Sequence, residues 1–165
     1  MEYQLKELHM GMGQPEWEMY QDIPVREPGA TNLCKGLPLE VFPAWLESQI
    51  ARKYQRISDY DTPTMVCLMY ADGIPVGYIG IRTEIDANWK RWSGNLYYTV
   101  RQSARGKGLG TRMTAMALEK CREMGMKEVY ANASSGNAAS ARVLEKNGGI
   151  LLEEVEGSRY YRIPL

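Results

Sequence analysis

Apolar and polar positions along this chain follow two periods, and each change of period marks an element. Phe42, Trp45, Leu46 and Ile50 recur at spacings of three and four, which predicts an amphipathic helix over Pro38 to Arg56 with its apolar stripe toward a sheet. The glycine- and proline-rich stretch Arg26 to Pro38 predicts a surface loop, so Met1 to Asp61 reads as helices and loops. Met65 to Tyr70 and Val76 to Thr83 are β-rich runs on either side of Ala71-Asp72-Gly73-Ile74-Pro75. An Asp-Gly pair between such runs predicts an antiparallel hairpin, because glycine accepts the positive φ of the turn. Leu96 to Arg101 is a third run.

After that strand the period changes to that of a helix. Leu109, Met113, Met116, Ala117, Cys121 and Met124 recur at three and four across Gly108 to Met124, and Gly125 stands where a helix would end. Lys127 to Ala133 predicts a strand, so strand, glycine turn, helix and strand form a crossover that demands a parallel pair. Asn137 to Asn147 predicts a shorter helix, and Ile150 to Val155 with Arg159 to Ile163 a last hairpin around Glu156-Gly157-Ser158. The expected fold is one mixed α/β (α+β) domain over residues 1–165, with acceptor-side helices and loops in 1–61 and a sheet-bearing core in 62–165.

Composition removes several classes of function. With 165 residues the chain buries one core and is too short for two ordinary domains. Twenty lysines and arginines balance 20 aspartates and glutamates, so no global field draws the chain to nucleic acid or to an anionic membrane, and any anion site must be local. Cys34, Cys67 and Cys121 lack C-x-x-C spacing and read as free thiols of a reducing compartment. No long apolar run and no charged-then-apolar leader is visible, and the cytoplasm is the expected location. The only histidine, His9, lies near the N-terminus, too poorly placed for a Ser/His/Asp triad or a histidine-rich metal site, so no metal is expected.

The stretch between the third strand and its helix carries the candidate chemistry. Gly106, Gly108 and Gly110 let the backbone bend tightly and bring its N–H groups to a ligand, at a helix N-terminus that adds unsatisfied donors and partial positive charge. Arg105 and Lys107 add whole charges, Arg101 and Arg112 stand close in sequence, and Thr111 offers a hydroxyl. A phosphate is the natural guest of such a cradle. The spelling fits neither the Walker loop nor the dinucleotide G-x-G-x-x-G pattern. Simple solvated charge on a glycine-rich connection remains the plain alternative, as does a site for an ordinary nucleotide.

Arg105-Gly106-Lys107-Gly108-Leu109-Gly110 matches Q/R-x-x-G-x-G/A, and here the chain resembles the GNAT N-acetyltransferase superfamily. The loop follows the strand Tyr97-Tyr98-Thr99-Val100, and the segment Asn137-Ala138-Ala139-Ser140 opens what looks like the family's Asn-led helix. The resemblance runs from about Met65 to Ile163 and fades before it. It implies a twisted, mostly antiparallel sheet whose central parallel strands splay around acetyl-CoA, with helices on both faces. It implies that Tyr98, Thr99 and Val100 form the edge that pairs with the pantetheine arm. The pyrophosphate is then expected on the amides of Arg105 to Thr111, and Asn137 and Ser140 opposite the arm, although asparagine is also an ordinary helix N-cap. The implied partners are acetyl-CoA and an amine acceptor, with neither nucleic acid nor membrane, and with a homodimer allowed.

Two departures from the family pattern concern proton transfer. Where many members have Leu-Tyr-Glu-Lys this chain has Val143-Leu144-Glu145-Lys146, and Leu144 cannot donate a proton to the leaving thiolate. Where many place a strand glutamate, the chain reads Ser93-Gly94-Asn95-Leu96. Candidate bases are Glu84, Asp86 or a water held by Asn95, each with a solvated loop edge as its plain reading. A thiol of pKa about 8.5 leaves with little help, so the reaction is expected to run without a tyrosine acid, and Tyr98, Tyr160 and Tyr161 are the phenols that would contradict this; the backbone N–H near Val100 is the candidate oxyanion donor. Tyr3, Tyr20, Tyr54, Tyr60, Tyr97 and Tyr98 with Trp17, Trp45, Trp89 and Trp92 supply aromatics for an acceptor pocket, and Trp89 and Trp92, with Trp17, are the leading acceptor-side candidates. The implied reaction is direct transfer of an acetyl group to a primary amine; the alternative is an acyl-CoA-binding sensor or degenerate subunit without turnover.

Overall fold

A computed structural model describes residues 1–56 and 61–165, apart from the side chains of Trp89, Arg91 and Trp92. Its first sheet has the order β1-β4-β5-β6, formed by β1 (Tyr3–Glu7), β4 (Thr64–Ala71), β5 (Ile74–Arg82) and β6 (Leu96–Val100). The second has the order β7-β9-β8, formed by β7 (Glu128–Ser134), β8 (Ile150–Val155) and β9 (Ser158–Pro164). A two-stranded ribbon, β2 (Arg26–Glu27) with β3 (Ala30–Thr31), stands apart from both. The helices are α1 (Gln14–Gln21), α2 (Phe42–Ala51), α3 (Ala87–Trp92), α4 (Leu109–Glu123) and α5 (Ala138–Lys146).

Both faces of the first sheet are covered, which is why β4 reads as an unbroken apolar run instead of alternating. Met65, Cys67 and Met69 face the core that α4 shares with both sheets, where Met113, Ala117 and Cys121 meet Val129, Tyr161 and Ile163. Val66, Leu68 and Tyr70 face the other way, against Met19 and Tyr20 of α1 and Phe42 and Leu46 of α2. The expected helix over Pro38 to Arg56 is shorter, a 3-10 turn at Leu39–Val41 followed by α2, because Pro43 sits in the first helical turn and fixes the start.

Residues 1–61 are not only helices and loops. Tyr3–Glu7 forms β1 and pairs antiparallel with β4, Leu5 opposite Met69. Arg26 to Pro38 is not wholly loop either, since Pro28-Gly29 closes the β2–β3 hairpin as a two-residue turn. Asn32, 3 % exposed, secures that hairpin to the end of α1, with Nδ2 donating to Tyr20 O at 2.8 Å and Ile23 O at 2.9 Å.

The crossover β6–α4–β7 is present, but the expected parallel pair is not a ladder. Every ladder among the described residues is antiparallel, and the two sheets touch through a single bridge, Gly94 with Ala131. The close approach there needs glycine: at Gly94 φ is +71° and a Cβ would lie 2.3 Å from Tyr130 O. Asn95 completes the joint. Its N–H donates to Tyr130 O at 2.6 Å, its Oδ1 accepts from Tyr130 N at 2.8 Å, and its Nδ2 donates to Arg82 O at 2.8 Å. Beyond this clamp the strands part and leave a gap.

Asn95→Ala removes two of those bonds and leaves Tyr130 N–H and Arg82 C=O without these partners. Each such loss costs about 1–3 kcal/mol, so urea denaturation of the variant is expected to show a stability loss of about 2–4 kcal/mol. A loss under about 0.5 kcal/mol would mean that the clamp does not hold the sheets together.

Candidate active site

The glycine turn delivers bare backbone donors to the mouth of the gap. Gly108 caps α4 in the left-handed conformation, at φ +74° and ψ 10°, with no side chain capping the helix and no acidic residue in its first turn. The first helical bond runs from Arg112 N–H to Gly108 O at 3.2 Å, so the N–H groups of Leu109, Gly110 and Thr111 precede the helical ladder. Leu109 itself is buried in the core, and only its amide serves the turn. Gly110 lies against Val143 of α5, 3.5 Å from where its Cβ would be. An anion fits these free donors without displacing any cap.

The four cations are divided between ligand and scaffold. Arg101 Nε donates to Asp22 Oδ2 at 2.9 Å, and Ser103 Oγ reaches the same oxygen at 2.5 Å, which ties the start of the turn to the end of α1. Burial pushes the Asp22 carboxyl up, but the hydrogen bonds from Arg101 and Ser103 outweigh it and hold it below the usual carboxylate value. Arg112 lies over the Tyr3 ring, 4.4 Å from its centroid. Arg105, expected beside the phosphate, folds back instead: Nε donates to Val100 O at 2.9 Å and Nη2 pairs with Glu27 Oε1. Lys107 is left with no partner among the described residues.

β6 presents an unpaired edge to the gap. Arg101 N–H donates to Val76 O of β5 at 2.8 Å, so the alternation of an antiparallel ladder aims the backbone groups of Val100 and Tyr98 away from β5. Thr99 differs from the expectation: its backbone belongs to the β5 side, and its hydroxyl donates to Glu27 Oε2 at 3.1 Å. Across the gap, the Tyr98 phenol and Ser140 Oγ are 2.8 Å apart, and Asn137 Oδ1 accepts from Ser140 N–H at 3.1 Å as the N-cap of α5. Burial pushes the Tyr98 phenol up more than its bond with Ser140 pulls it down, so it keeps its proton at neutral pH. Tyr98, Asn137 and Ser140 line a cavity of about 230 Å³ between the two sheets.

A larger cavity of about 580 Å³ opens on the α1–α2 side of β6. Its aromatic wall is built from Tyr20, Trp45, Tyr78 and Tyr97, with Tyr20 edge-on to Trp45 at 4.8 Å and stacked on Tyr78 at 5.3 Å. Its charged lining is Glu27, Asp61, Arg52 and Arg82. Arg52 reaches Asp61 at 3.5 Å and the Tyr97 hydroxyl at 3.4 Å, while the Arg82 guanidinium lies 4.6 Å from the Tyr97 ring centroid. Gly29 and Tyr97 belong to both cavities, so the two meet at β6.

Several sequence candidates fall elsewhere. Glu84 is exposed and lines neither cavity, and its backbone O accepts from Thr62 Oγ1 at 2.5 Å. Asp86 is likewise exposed and outside both. The Asn95 amide is spent on the clamp between the sheets. Trp17 donates from Nε1 to Leu37 O at 2.8 Å and packs on the α1–α2 core. Trp89 and Trp92 stand on α3, with side chains outside the described residues, and Tyr60 lies outside them too. Leu144 is fully buried, and Tyr161 beside it donates to Glu145 Oε1 at 2.9 Å, facing α5 instead of the gap. Tyr160 pairs across the sheet with Asn132. Glu27, Asp61, Arg52 and Arg82 escaped sequence reasoning; for Glu27 the usable signal was a carboxylate abutting the Pro28-Gly29 turn.

The acetyltransferase (GNAT) domain profile matches residues 7–150. The chain belongs to the GNAT acetyltransferase family. No curated protein matches it by sequence. Among solved structures, this GNAT chain is similar in fold to the ribosomal-protein-S5-alanine acetyltransferase from Vibrio fischeri, with TM-score 0.71 and 13% identity over 99% of this chain and 93% of that one. It is similar to the ribosomal-protein-alanine N-acetyltransferase from Brucella melitensis, with TM-score 0.66 and 20% identity over 98% and 99% of the two chains. It also resembles a putative acetyltransferase from Salmonella typhimurium, solved with its cofactor acetyl-CoA, with TM-score 0.62 and 15% identity over 99% and 94%. Among the described residues of this GNAT domain, no three His, Cys, Asp or Glu side chains come together to hold a metal, and no helix is long and apolar enough to cross a membrane.

None of the three thiols of this GNAT domain is placed for nucleophilic work. Cys34, Cys67 and Cys121 are fully buried and unpaired, and burial pushes Cys34 and Cys67 up to about 12 and Cys121 to about 11. At pH 8 they stay protonated and shielded. Iodoacetamide is expected to label none of them in the native protein and all three in urea; rapid native labelling of any one would contradict this burial.

Proposed function

We propose that the protein transfers an acetyl group from acetyl-CoA to a primary amine by direct attack, on an acceptor that is a small molecule or a peptide. The observation that carries this reading is that two cavities meet at β6, a strand whose open edge runs on into the glycine turn. The amides of Leu109 to Thr111 and the Lys107 ammonium hold the pyrophosphate, and the Val100 and Tyr98 backbone receives the pantetheine arm as an added strand. Asn137 and Ser140 line the other wall. Buried thiols support direct transfer over an acyl-cysteine intermediate.

The acceptor amine enters from the aromatic cavity, which residues 1–61 largely build. An alkylammonium has a pKa of about 10, so the site must take a proton from it before its nitrogen attacks the thioester carbon. The Val100 N–H faces the gap and receives the charge that grows on the carbonyl oxygen. A departing thiol of pKa about 8.5 needs modest help, and the protonated Tyr98 phenol paired with Ser140 supplies it. Tyr98 thus takes the place of the tyrosine that Leu144 lacks.

The test is thiol release from acetyl-CoA with polyamines, aminoglycosides, amino acids, peptides with free N-termini and lysine-bearing proteins, with mass spectrometry of the products. Acetyl-CoA binding without turnover of any acceptor would leave a binding protein and overturn the enzymatic reading. Gly108→Val forces a β-branched residue to positive φ and crowds the amide cradle, so calorimetry is expected to show acetyl-CoA affinity reduced by about tenfold or more. Tyr98→Phe is expected to lower kcat by about ten- to a hundredfold at saturating acetyl-CoA, with affinity within about twofold of the parent. Unchanged kcat would remove Tyr98 from the reaction.

A further inference from the structure

The β2–β3 hairpin brings Glu27 to a place that no sequence pattern marks. Its carboxylate lines the larger cavity, where the acceptor enters on the reading above, yet Oε1 is paired with the Arg105 guanidinium and Oε2 accepts from Thr99 Oγ1 at 3.1 Å. Arg105 belongs to the phosphate turn. Its Nε also donates to Val100 O at 2.9 Å, a backbone acceptor on the very edge that the pantetheine arm would pair with. One guanidinium therefore spans three things: the turn, the open edge of β6 and the acceptor-side carboxylate. The remaining charged and titratable groups that line the same cavity are Tyr20 of α1, Tyr78 and Arg82 of β5, Tyr97 of β6, Arg52 and Asp61.

We infer that Glu27 is the carboxylate that takes the amine's proton, and that Arg105 latches it until acetyl-CoA binds. This rests on the acetyltransferase reading. In this arrangement each carboxylate oxygen already accepts from a protein donor, and Oε1 is held against the Arg105 guanidinium rather than an incoming ammonium. Two demands of acetyl-CoA fall on Arg105: its arm needs Val100 O, and its pyrophosphate lies within reach of a half-exposed guanidinium that anions attract. Arg105 leaves Glu27 and turns to the phosphates. Glu27, still held by Thr99, then faces the acceptor with a free oxygen.

The ammonium N–H bond breaks and its proton passes to a Glu27 oxygen. The nitrogen lone pair forms the bond to the acetyl carbon, the carbon–sulfur bond breaks with its electrons on sulfur, and the second nitrogen proton ends on the thiolate by way of Tyr98 and Ser140. Glu27 returns its proton to water. The amine is thereby deprotonated only after the donor is in place.

The test is a cycle of variants read by acetyl-CoA calorimetry and by kcat. Glu27→Gln releases Arg105 in advance, so acetyl-CoA is expected to bind about two- to fivefold more tightly, the range of a partly exposed ion pair, while kcat falls about a hundredfold. In an Arg105→Met background the affinity gain from Glu27→Gln is expected to vanish. Glu27→Asp keeps a carboxylate on a shorter arm and is expected to regain part of the lost kcat, which a purely structural role does not predict. Unchanged or weaker acetyl-CoA binding by Glu27→Gln, a gain that persists without Arg105, or parental turnover would each overturn the latch. A parent protein that binds no acetyl-CoA would instead overturn the acetyltransferase reading itself, so the two failures are distinguishable.

Discussion

Two half-sheets are joined at one end and kept apart along the rest, and the other features of the site follow from that constraint. The joint is small: one bridge at Gly94, and an asparagine whose amide reaches Tyr130 on one side and Arg82 on the other. A sheet would ordinarily continue pairing from such a start, because unpaired backbone groups are costly away from water. Here β6 pairs with β5 and β7 with β9, and beyond the clamp their facing edges form no ladder with each other. An extended ligand with amide groups of its own satisfies them, as an added strand does. The crossover helix α4 starts beside that gap, so its free N–H groups and the strand edge form one continuous track.

The face of β6 opposite α4 has different chemistry. Tyr97 and Thr99 point toward α1 and α2, where the aromatic cavity and its two carboxylates lie, while Tyr98 and Val100 pack toward the main core and the gap. Strand alternation thus gives the two sides of a single five-residue strand different surroundings. Arg105 crosses between them. A cation contributed by the phosphate turn and paired with a cavity carboxylate is a physical means for one site to sense the other, because a ligand that competes for the cation alters the carboxylate's surroundings.

What was legible in the sequence was local. Gly106, Gly108 and the period of α4 lie within a few residues of each other, and strand, turn and helix could be placed from them. The hairpins at Asp72-Gly73 and Glu156-Gly157 carry their own turn chemistry, as does the Asn137 cap. What was missed depends on partners far away in the chain. Tyr3 to Glu7 alternates as a strand should, with alternate residues half-buried, but five residues show little until β4, some 60 residues on, pairs with them. Pro28-Gly29 looked like loop punctuation and proved to be a hairpin turn. Glu84 stands close in sequence to a strand end, whereas Glu27 reaches the larger cavity because Asn32 and the end of α1 carry its hairpin there. The cations looked alike as a cluster, yet Asp22 and the Tyr3 ring claim Arg101 and Arg112, and no local pattern announces those partners.

Amide hydrogen exchange, resolved to single residues and compared with and without saturating acetyl-CoA, tests the central claim most directly. That claim is that the β6 edge and the α4 N-terminus form one ligand track. It predicts slowed exchange at Tyr98, Val100, Leu109, Gly110 and Thr111 together, because the ligand supplies acceptors that the fold leaves out. Protection confined to other segments, with these five amides unchanged while acetyl-CoA binds, would contradict it.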